Sequence, residues 1–268
     1  MATEDRNRIL EILKQMEPIT LDEMKNIHLM DRVDSKFVIP RTLLPELLTE
    51  MAPYFRVQTK DENAISPYAT QYFDTPNLEM FLMHQNGKLN RQKIRIRSYI
   101  DSDLSFLEIK NKNNKGRTNK IRVPVDFSSV DSMEKLGDKK EFLDTNSRFA
   151  TQSLIPVLSN HFNRITFVNN RKTERITIDL DLNFTNEQTG DNTNFEEVVI
   201  LELKQDGWQH SDFRDILMQL RVKRNSFSKY CMGTVLTNST IKYNRFKCRL
   251  AIINKLSKNY DSSNRLRS

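Results

Sequence analysis

The sequence predicts an α+β protein, an antiparallel β-structure of many strands with short helices at both ends. Three observations carry that expectation. Apolar and polar residues alternate with period two in run after run across the middle of the chain. Helical stripes are confined to the two ends and to short connections. No internal repeat, low-complexity run or clear linker interrupts the 268 residues, so residues 1–268 are expected to form one domain.

The elements follow in order. Ile9, Leu10, Ile12, Leu13 and Met16 form a helical stripe over 4–16, ended by Pro18. LDEMKNIHLM (21–30) reads as a second short helix, so helices occupy 1–29. DRVDSKFVI (31–39) alternates and stops at Pro40, as a strand does, and PRTLLPELLTEM (40–51) is helical. YATQYFDT (68–75) is a strand closed by the turn signal Asp74-Thr75-Pro76. NLEMFLMHQNG (77–87) is a short amphipathic segment with Gly87 near its end. Strands follow over 91–100, 103–112 and 119–126. The last two are joined by the hairpin NNKGRT, where Gly116 supplies a permissive backbone. Residues 132–160 read as helical and mobile. Strands resume with NRITFVNN (163–170), RITIDLDLNF (175–184) and EEVVILELK (196–204), joined by RKTE and the polar loop TNEQTGDNTN. The last third, DFRDILMQLRV, SFSKYCMGTVLT and KYNRFKCRLAIINKL, is helical. The expected core is therefore about 30–236, followed by a basic helical tail over 239–268.

The stretch NRQKIRIRSY (90–99) poses the question that governs function. At strand period it puts Arg91, Lys93, Arg95 and Arg97 on one face, with Gln92, Ile94, Ile96 and Ser98 on the other. Side chains on one strand face stand about 7 Å apart, so these cations repel one another. Water, carboxylates from neighbouring strands or a polyanionic ligand must offset that repulsion. Other strands repeat the pattern. Arg32, Asp34 and Lys36 share a face, as do Glu108, Lys110 and Lys112. Lys120 and Arg122 align, then Arg175, Thr177, Asp179 and Asp181, and finally Ile200, Glu202 and Lys204. A half-buried strand with its polar face in water gives the same alternation. A barrel with its apolar face under helices and its charged face lining a tunnel gives it too. In a closed tunnel the cations are costly without a polyanion, and the carboxylates among them either pair with arginine or hold a divalent metal.

Composition removes several functional classes. No run approaches the ~20 apolar residues of a membrane span, and the charged N-terminus MATEDRNRILEILKQME lacks a signal peptide's apolar block, so a cytoplasmic location is expected. Cys231, Cys248 and the four histidines make no zinc-ligand spacing and no disulfide framework. His84 and His161 read as structural or exposed, and there is no serine or cysteine nucleophile constellation. No GxxxxGK[ST] loop occurs, so any phosphate would be bound by side chains, for which arginine forks and lysine point charges are suited. The formal net charge of +7 sits in the tail. There Lys242, Arg245, Lys247, Arg249, Lys255, Lys258, Arg265 and Arg267 face Asp261 alone. The tail carries only Tyr243, Phe246 and Tyr260 for stacking, which argues against nucleic-acid binding.

DRVDSKFVI, YFDT followed by NGKLNRQKIRIRSY, FLEIKNKNNKGRTNKIRV, FNRITF, RITIDLDL, ILELK and SFSKYCMG run in this order from about residue 30 to 236. As an ordered set they resemble the VTC domain, a polyphosphate-polymerase module within the triphosphate tunnel superfamily. The resemblance implies an antiparallel eight-stranded β-barrel tunnel with flanking helices, a triphosphate-binding interior and a requirement for Mn²⁺ or Mg²⁺. It implies transfer of the γ-phosphoryl group of ATP to a growing inorganic polyphosphate chain. By motif, Lys36, Arg95, Arg97, Lys110, Arg164, Arg175, Lys204 and Lys229 are expected on phosphate, with Arg32, Lys93, Lys112, Lys120 and Arg122 as further phosphate contacts. Glu202 is expected as the chief metal ligand, with Glu108, Asp179 and Asp181 as further candidates. Two departures stand out. The K-F-S-K pattern of the fungal relatives is Ser226-Phe227-Ser228-Lys229 here, and the superfamily's ExExK is Arg32-Val33-Asp34-Ser35-Lys36. The resemblance also implies a membrane-protein partner for the tail, at the inner face of a membrane. Two other activities suit the same residues: a triphosphatase, and a non-catalytic polyphosphate or inositol-polyphosphate sensor.

Overall fold

The computed structural model describes residues 3–27, 32–115, 117–126, 133–207 and 209–265. An eleven-stranded sheet dominates it. Its main path runs through β2 (Arg32–Pro40), β11 (Val198–Asp206), β9 (Glu174–Asn186), β8 (Ile155–Asn169), β4 (Ser66–Asp74), β5 (Arg91–Tyr99), β6 (Leu104–Lys112) and β7 (Thr118–Val125). Every pairing along that path is antiparallel. Outside it, β1 (Pro18–Thr20) pairs in parallel with β3 (Phe55–Thr59), β3 pairs with β8, and β10 (Asn192–Phe195) pairs with β9. The eight-stranded expectation thus holds for the path. Among the described residues its two ends, β2 and β7, are not hydrogen-bonded to each other, so the barrel is rolled but not closed.

The roll itself is visible in the charges. Lys36 on β2 and Arg91 on β5 are separated by four strands along the path, yet they line one cleft. Their strands therefore face each other across an interior.

Helices cover the outside because the outward strand positions are apolar. Phe37, Ile39, Ile165, Phe167, Ile176, Ile178, Leu201 and Leu203 are buried under α1 (Thr3–Gln15), α3 (Leu44–Met51) and α6 (Asp212–Gln219). Ile94, Ile96, Leu107 and Ile109 are covered with Leu136, Leu154 and Leu143 of α5 (Lys140–Asn146). The polar outward residues of β5 are satisfied as well. Gln92 donates to Asn111 Oδ1 at 2.8 Å and accepts from the Arg148 amide at 3.0 Å. Ser98 and Ser105 share a bond of 2.7 Å between their hydroxyls.

Two helices occupy the ends of the interior. At one end Met24 and Ile27, in and after α2 (Leu21–Lys25), pack with Val168. At the other, α7 (Lys229–Leu236) seats Tyr230, Cys231 and Met232 in one cluster with Leu158, Leu182 and Phe184. The short helix α4 (Glu79–Gln85) is pinned nearby by Asp74, which accepts from the Met80 and Phe81 amides, both at 3.0 Å, and from the Tyr230 hydroxyl. The C-terminal helix is α8 (Lys247–Arg265). Among the described residues no helix is long and apolar enough to cross a membrane.

Several sequence expectations need correction. The segment 132–160 is not wholly helical: β8 begins at Ile155, and α5 is flanked by 3-10 segments at Met133–Lys139 and Thr151–Ser153. The polar loop after β9 contains β10, and β1 and β3 are additional short strands. Residues 28–30 of the second helix, Asp31 at the start of the next strand and Gly116 of the hairpin lie outside the described residues. The shared parity of Asp179 and Asp181 breaks as well. A bulge shifts the β8–β9 register between His161 and Asn163, and Asp181 takes a left-handed backbone at φ 54. Its carboxylate accepts from buried Arg41 Nη1 at 2.6 Å and from Asn163 Nδ2 at 2.9 Å.

The seat of α7 is tight enough to test. A Cβ on Gly233 would lie 2.5 Å from Phe184 Cδ1 and 2.7 Å from Leu158 Cδ2. Gly233→Ala should therefore destabilise the fold by about 1–3 kcal/mol, the usual cost of overpacking. Denaturant unfolding checks it; an unchanged midpoint would mean that α7 is not seated there.

Candidate active site

The face of β5 questioned above looks into the interior, and neighbouring strands answer part of its charge. Arg95 donates to Glu108 on β6 at 2.8 Å through Nε, and Nη2 lies 2.6 Å from the same oxygen. Lys120 on β7 reaches the other Glu108 oxygen at 2.8 Å. Burial pushes the Glu108 carboxyl up, but Arg95, Arg97 and Lys120 override it and hold it at about 2. Across the interior Arg164 forks onto Asp179, with Nε at 2.6 Å and Nη2 at 2.9 Å. Register explains that pair, since the two residues stand directly opposite on β8 and β9. Lys229, the first residue of α7, donates to the same carboxylate. Burial again pushes Asp179 up, and Arg164 and Lys229 hold it well below the carboxylate range.

The remaining cations are not matched in this way. Among the described residues Arg97, Lys93 and Lys110 have no carboxylate within 4 Å. Arg97 donates to Thr70 Oγ1 at 3.3 Å and lies over the Tyr68 and Phe162 rings, at 5.9 and 5.7 Å. Burial, then Arg95 and Arg164, bring its pKa down to about 10. Lys93 donates to Ser228 Oγ at 2.8 Å, and burial lowers its pKa. Burial, then Lys36, bring Lys110 down to about 8. The interior is therefore held in a state of uncompensated positive charge.

Glu202 is the third carboxylate, and its surroundings differ. It stands opposite Lys36 on β2, with Lys36 Nζ at 3.6 Å and Lys204 Nζ at 4.0 Å. Both distances exceed a hydrogen bond. Burial raises its pKa, and Lys36, Lys204, Arg164 and Lys110 bring it well below the usual value. Glu202 thus remains ionised with acceptor capacity that Glu108, Asp179 and Asp181 have spent on arginine and lysine. Among the described residues no three acidic, histidine or cysteine side chains cluster as an all-protein metal site. Magnesium-type ions are commonly held by one or two carboxylates with waters and substrate phosphates. Glu202 alone fits that donor set.

The other expected residues scatter. Arg175 donates to the Met24 and Ile27 carbonyls at 2.9 and 3.4 Å, which places it at the α2 end. Lys112 stands opposite Arg91 at the far end of β5–β6, and Arg122 is exposed over the Phe106 ring at 4.4 Å. The Arg32 side chain lies outside the described residues. Sequence reasoning missed Tyr68 and Phe162, which flank Arg97 and Arg164, and Ser228, which holds Lys93. Inward parity on YATQYFDT could have flagged Tyr68; no local signal marks Ser228.

A protein-family model described as the VTC domain matches residues 8–238. This chain belongs to the VTC domain family. A sequence search of curated proteins gives no match. Three solved structures are similar at low identity. A Hippeastrum protein described as a proposed adenylyl cyclase that reveals a dominant triphosphatase activity aligns at 12% identity and TM-score 0.49, covering 80% of this chain and 100% of its own. A Vibrio parahaemolyticus protein described as a proposed adenylate cyclase aligns at 12% and 0.45, covering 75% and 97%. A Pyrococcus horikoshii protein aligns at 14% and 0.42, covering 76% and 98%. The family assignment rests on the VTC model alone.

Two outcomes are expected of this site. Arg97→Ala should abolish saturable tripolyphosphate binding by calorimetry while leaving the unfolding transition cooperative; full retained affinity would rule out an interior anion site. The second concerns pH. Burial lowers Lys229 to about 7 against the pull of Asp179. An anion bound beside it favours the ammonium form, so binding takes up a proton. Affinity should then fall as pH rises through about 7. The ligand's terminal phosphates gain charge as pH rises, at about pH 6 in a monoester, which works against that trend, so the difference from Lys229→Met isolates the lysine. Calorimetry in buffers of different ionisation enthalpy checks it, and Lys229→Met should remove the proton uptake.

Proposed function

We propose that this protein is a metal-dependent polyphosphate polymerase that transfers the γ-phosphoryl group of ATP to a growing inorganic polyphosphate chain. The observation that carries the reading is the set Arg97, Lys93 and Lys110, cations that face one interior and, among the described residues, have no carboxylate within 4 Å. Membership of the VTC family supports the same polyphosphate and triphosphate chemistry. Phosphoryl transfer asks a protein mainly for positioning and for charge stabilisation at the equatorial oxygens. Arg95, Arg97 and Arg164 are already oriented by Glu108, Thr70 and Asp179, so they need little reorganisation when charge develops. In this reading Lys36, Lys110, Lys204 and Lys229 add point charges around the chain, and Arg175 guards the α2 end.

A divalent cation bound with the phosphates would neutralise charge on the transferred group, and Glu202 is the residue that would hold it. The acceptor is a terminal phosphate, an anion at neutral pH, so no histidine base or serine nucleophile is needed. One observation favours a second reading. Lys36 and Lys204 crowd Glu202 where a catalytic centre would place another carboxylate. A non-catalytic polyphosphate sensor on the same interior would keep the cations and have no use for Glu202.

The purified protein and Glu202→Ala, each incubated with ATP and Mn²⁺, separate these readings on a polyphosphate gel with ADP and phosphate assays. A ladder of chains with matching ADP, absent in the variant, is the expected result. Phosphate release without chains would replace the polymerase by a triphosphatase. Neither product, with tripolyphosphate raising Tm in both proteins, would replace it by a sensor.

A further inference from the structure

Beside the interior, a cleft of about 250 Å³ opens among β2, β5, the start of α7 and α8. Lys36, Arg91, Arg224 and Arg249 line it, with Ser226 and Ser228 supplying hydroxyls. It is continuous with the interior through shared residues. Lys36 faces Glu202, and Ser228 accepts from Lys93. Arg91 is the last member of the β5 row, so the cleft extends the cation series outward.

The basic tail completes the cleft. Arg249 is in its lining, while Arg245 stands outside the lining, against the turn after α4, where a Cβ on Gly87 would be 2.6 Å from its Nη1. Arg249 stands over the Phe246 ring at 5.6 Å, and Phe246 is buried, which anchors the start of α8. Among the described residues Arg91, Arg224, Arg245 and Arg249 have no carboxylate within 4 Å. Asp34 is the acidic group of the lining, and Arg224 donates to its backbone carbonyl at 3.4 Å. His84 also lines the cleft and contacts Cys231 Sγ through Nδ1 at 2.9 Å. Arg245 and Arg249 lie beyond the residues matched by the family model.

We propose that this cleft is a second phosphate subsite, in which Arg245 and Arg249 hold the outer phosphates of a condensed phosphate chain whose inner phosphates lie among Arg95, Arg97 and Arg164. Guanidinium groups, hydroxyls and an amide recognise phosphate oxygens, and neither ring in the lining is a free platform for a base: Phe227 is buried, and His84 is held edge-on by Phe246 and through Nδ1 by Cys231. The ligand is therefore a chain of phosphates rather than a nucleoside. In this assignment a triphosphate occupies the interior and a longer chain runs on into the cleft, so the cleft distinguishes long chains from short ones. This inference rests on the polyphosphate reading of the interior.

Binding of long-chain polyphosphate, tripolyphosphate and ATP to the full chain, each measured by calorimetry, tests the inference. Compared are the wild type, the double variant Arg245→Ala/Arg249→Ala, and Arg224→Ala, which removes a cation from another segment. Long-chain affinity should fall about tenfold in the double variant, and more modestly in Arg224→Ala, while tripolyphosphate and ATP are unaffected. Arg245→Lys/Arg249→Lys should recover part of the loss, which separates lost charge from lost folding. An unchanged long-chain affinity, or an equal loss for all three ligands, would overturn the subsite. If the wild type binds neither tripolyphosphate nor ATP but binds long chains through Arg245 and Arg249, the cleft stands and the interior reading falls.

Discussion

Asp179 accepts from Arg164 and Lys229 at once, and this junction joins β8, β9 and α7 in one place. A buried carboxylate is costly unless it is paired and hydrogen-bonded, so three elements must meet for Asp179 to remain charged. The junction orients a guanidinium at the centre of the interior and seats the plugging helix against Leu158 and Phe184. Glu108 performs a related task on the opposite wall for Arg95 and Lys120. Both carboxylates are spent on holding cations in place. What they leave over, Arg97, Lys93 and Lys110, gives the interior its appetite for anions.

The same economy separates Glu202 from its neighbours. Its nearest ammonium groups stand beyond hydrogen-bonding distance, at 3.6 and 4.0 Å. The strand register brings Lys36 opposite it, whereas Glu108 and Asp179 each have an arginine across from or beside them. Arginine's planar fork fixes a carboxylate in two bonds, while lysine supplies a mobile point charge. A carboxylate whose nearest partners are lysines beyond hydrogen-bonding distance can yield its oxygens to another cation. The geometry thus sorts chemically identical carboxylates into structural and available ones.

A great deal of this was legible in the chain. The alternation in NRQKIRIRSY, RITIDLDL and VILELK announced two-faced strands, and the structure puts Ile94, Ile96, Ile176, Ile178, Leu201 and Leu203 under helices as that alternation requires. The candidate cations Lys36, Arg95, Arg97, Lys110, Arg164 and Lys229 were named from parity and family resemblance, and they do face one another. The failures have local causes. Strand β8 was cut short because its first half, IPVLSNHF, carries proline and asparagine and lacks a clean apolar face. Asp181 was misplaced because period-two counting assumes unbroken register, and the bulge at His161/Asn163 breaks it.

By itself, then, the sequence determined the strand faces and the residue types available to an anion, because side-chain alternation is a property of one strand and needs no partner. Only the tertiary structure decided which cations are neutralised, since that depends on which strand lies opposite and where the register slips. It also decided the role of the basic tail. Charge density alone marked residues 239–268 as basic, but the packing of Phe246 brings Arg249 into the cleft at the mouth of the interior, and the bare backbone of Gly87 admits Arg245 beside the turn after α4. Proximity between residues far apart in the chain is set by packing, and no local pattern encodes it.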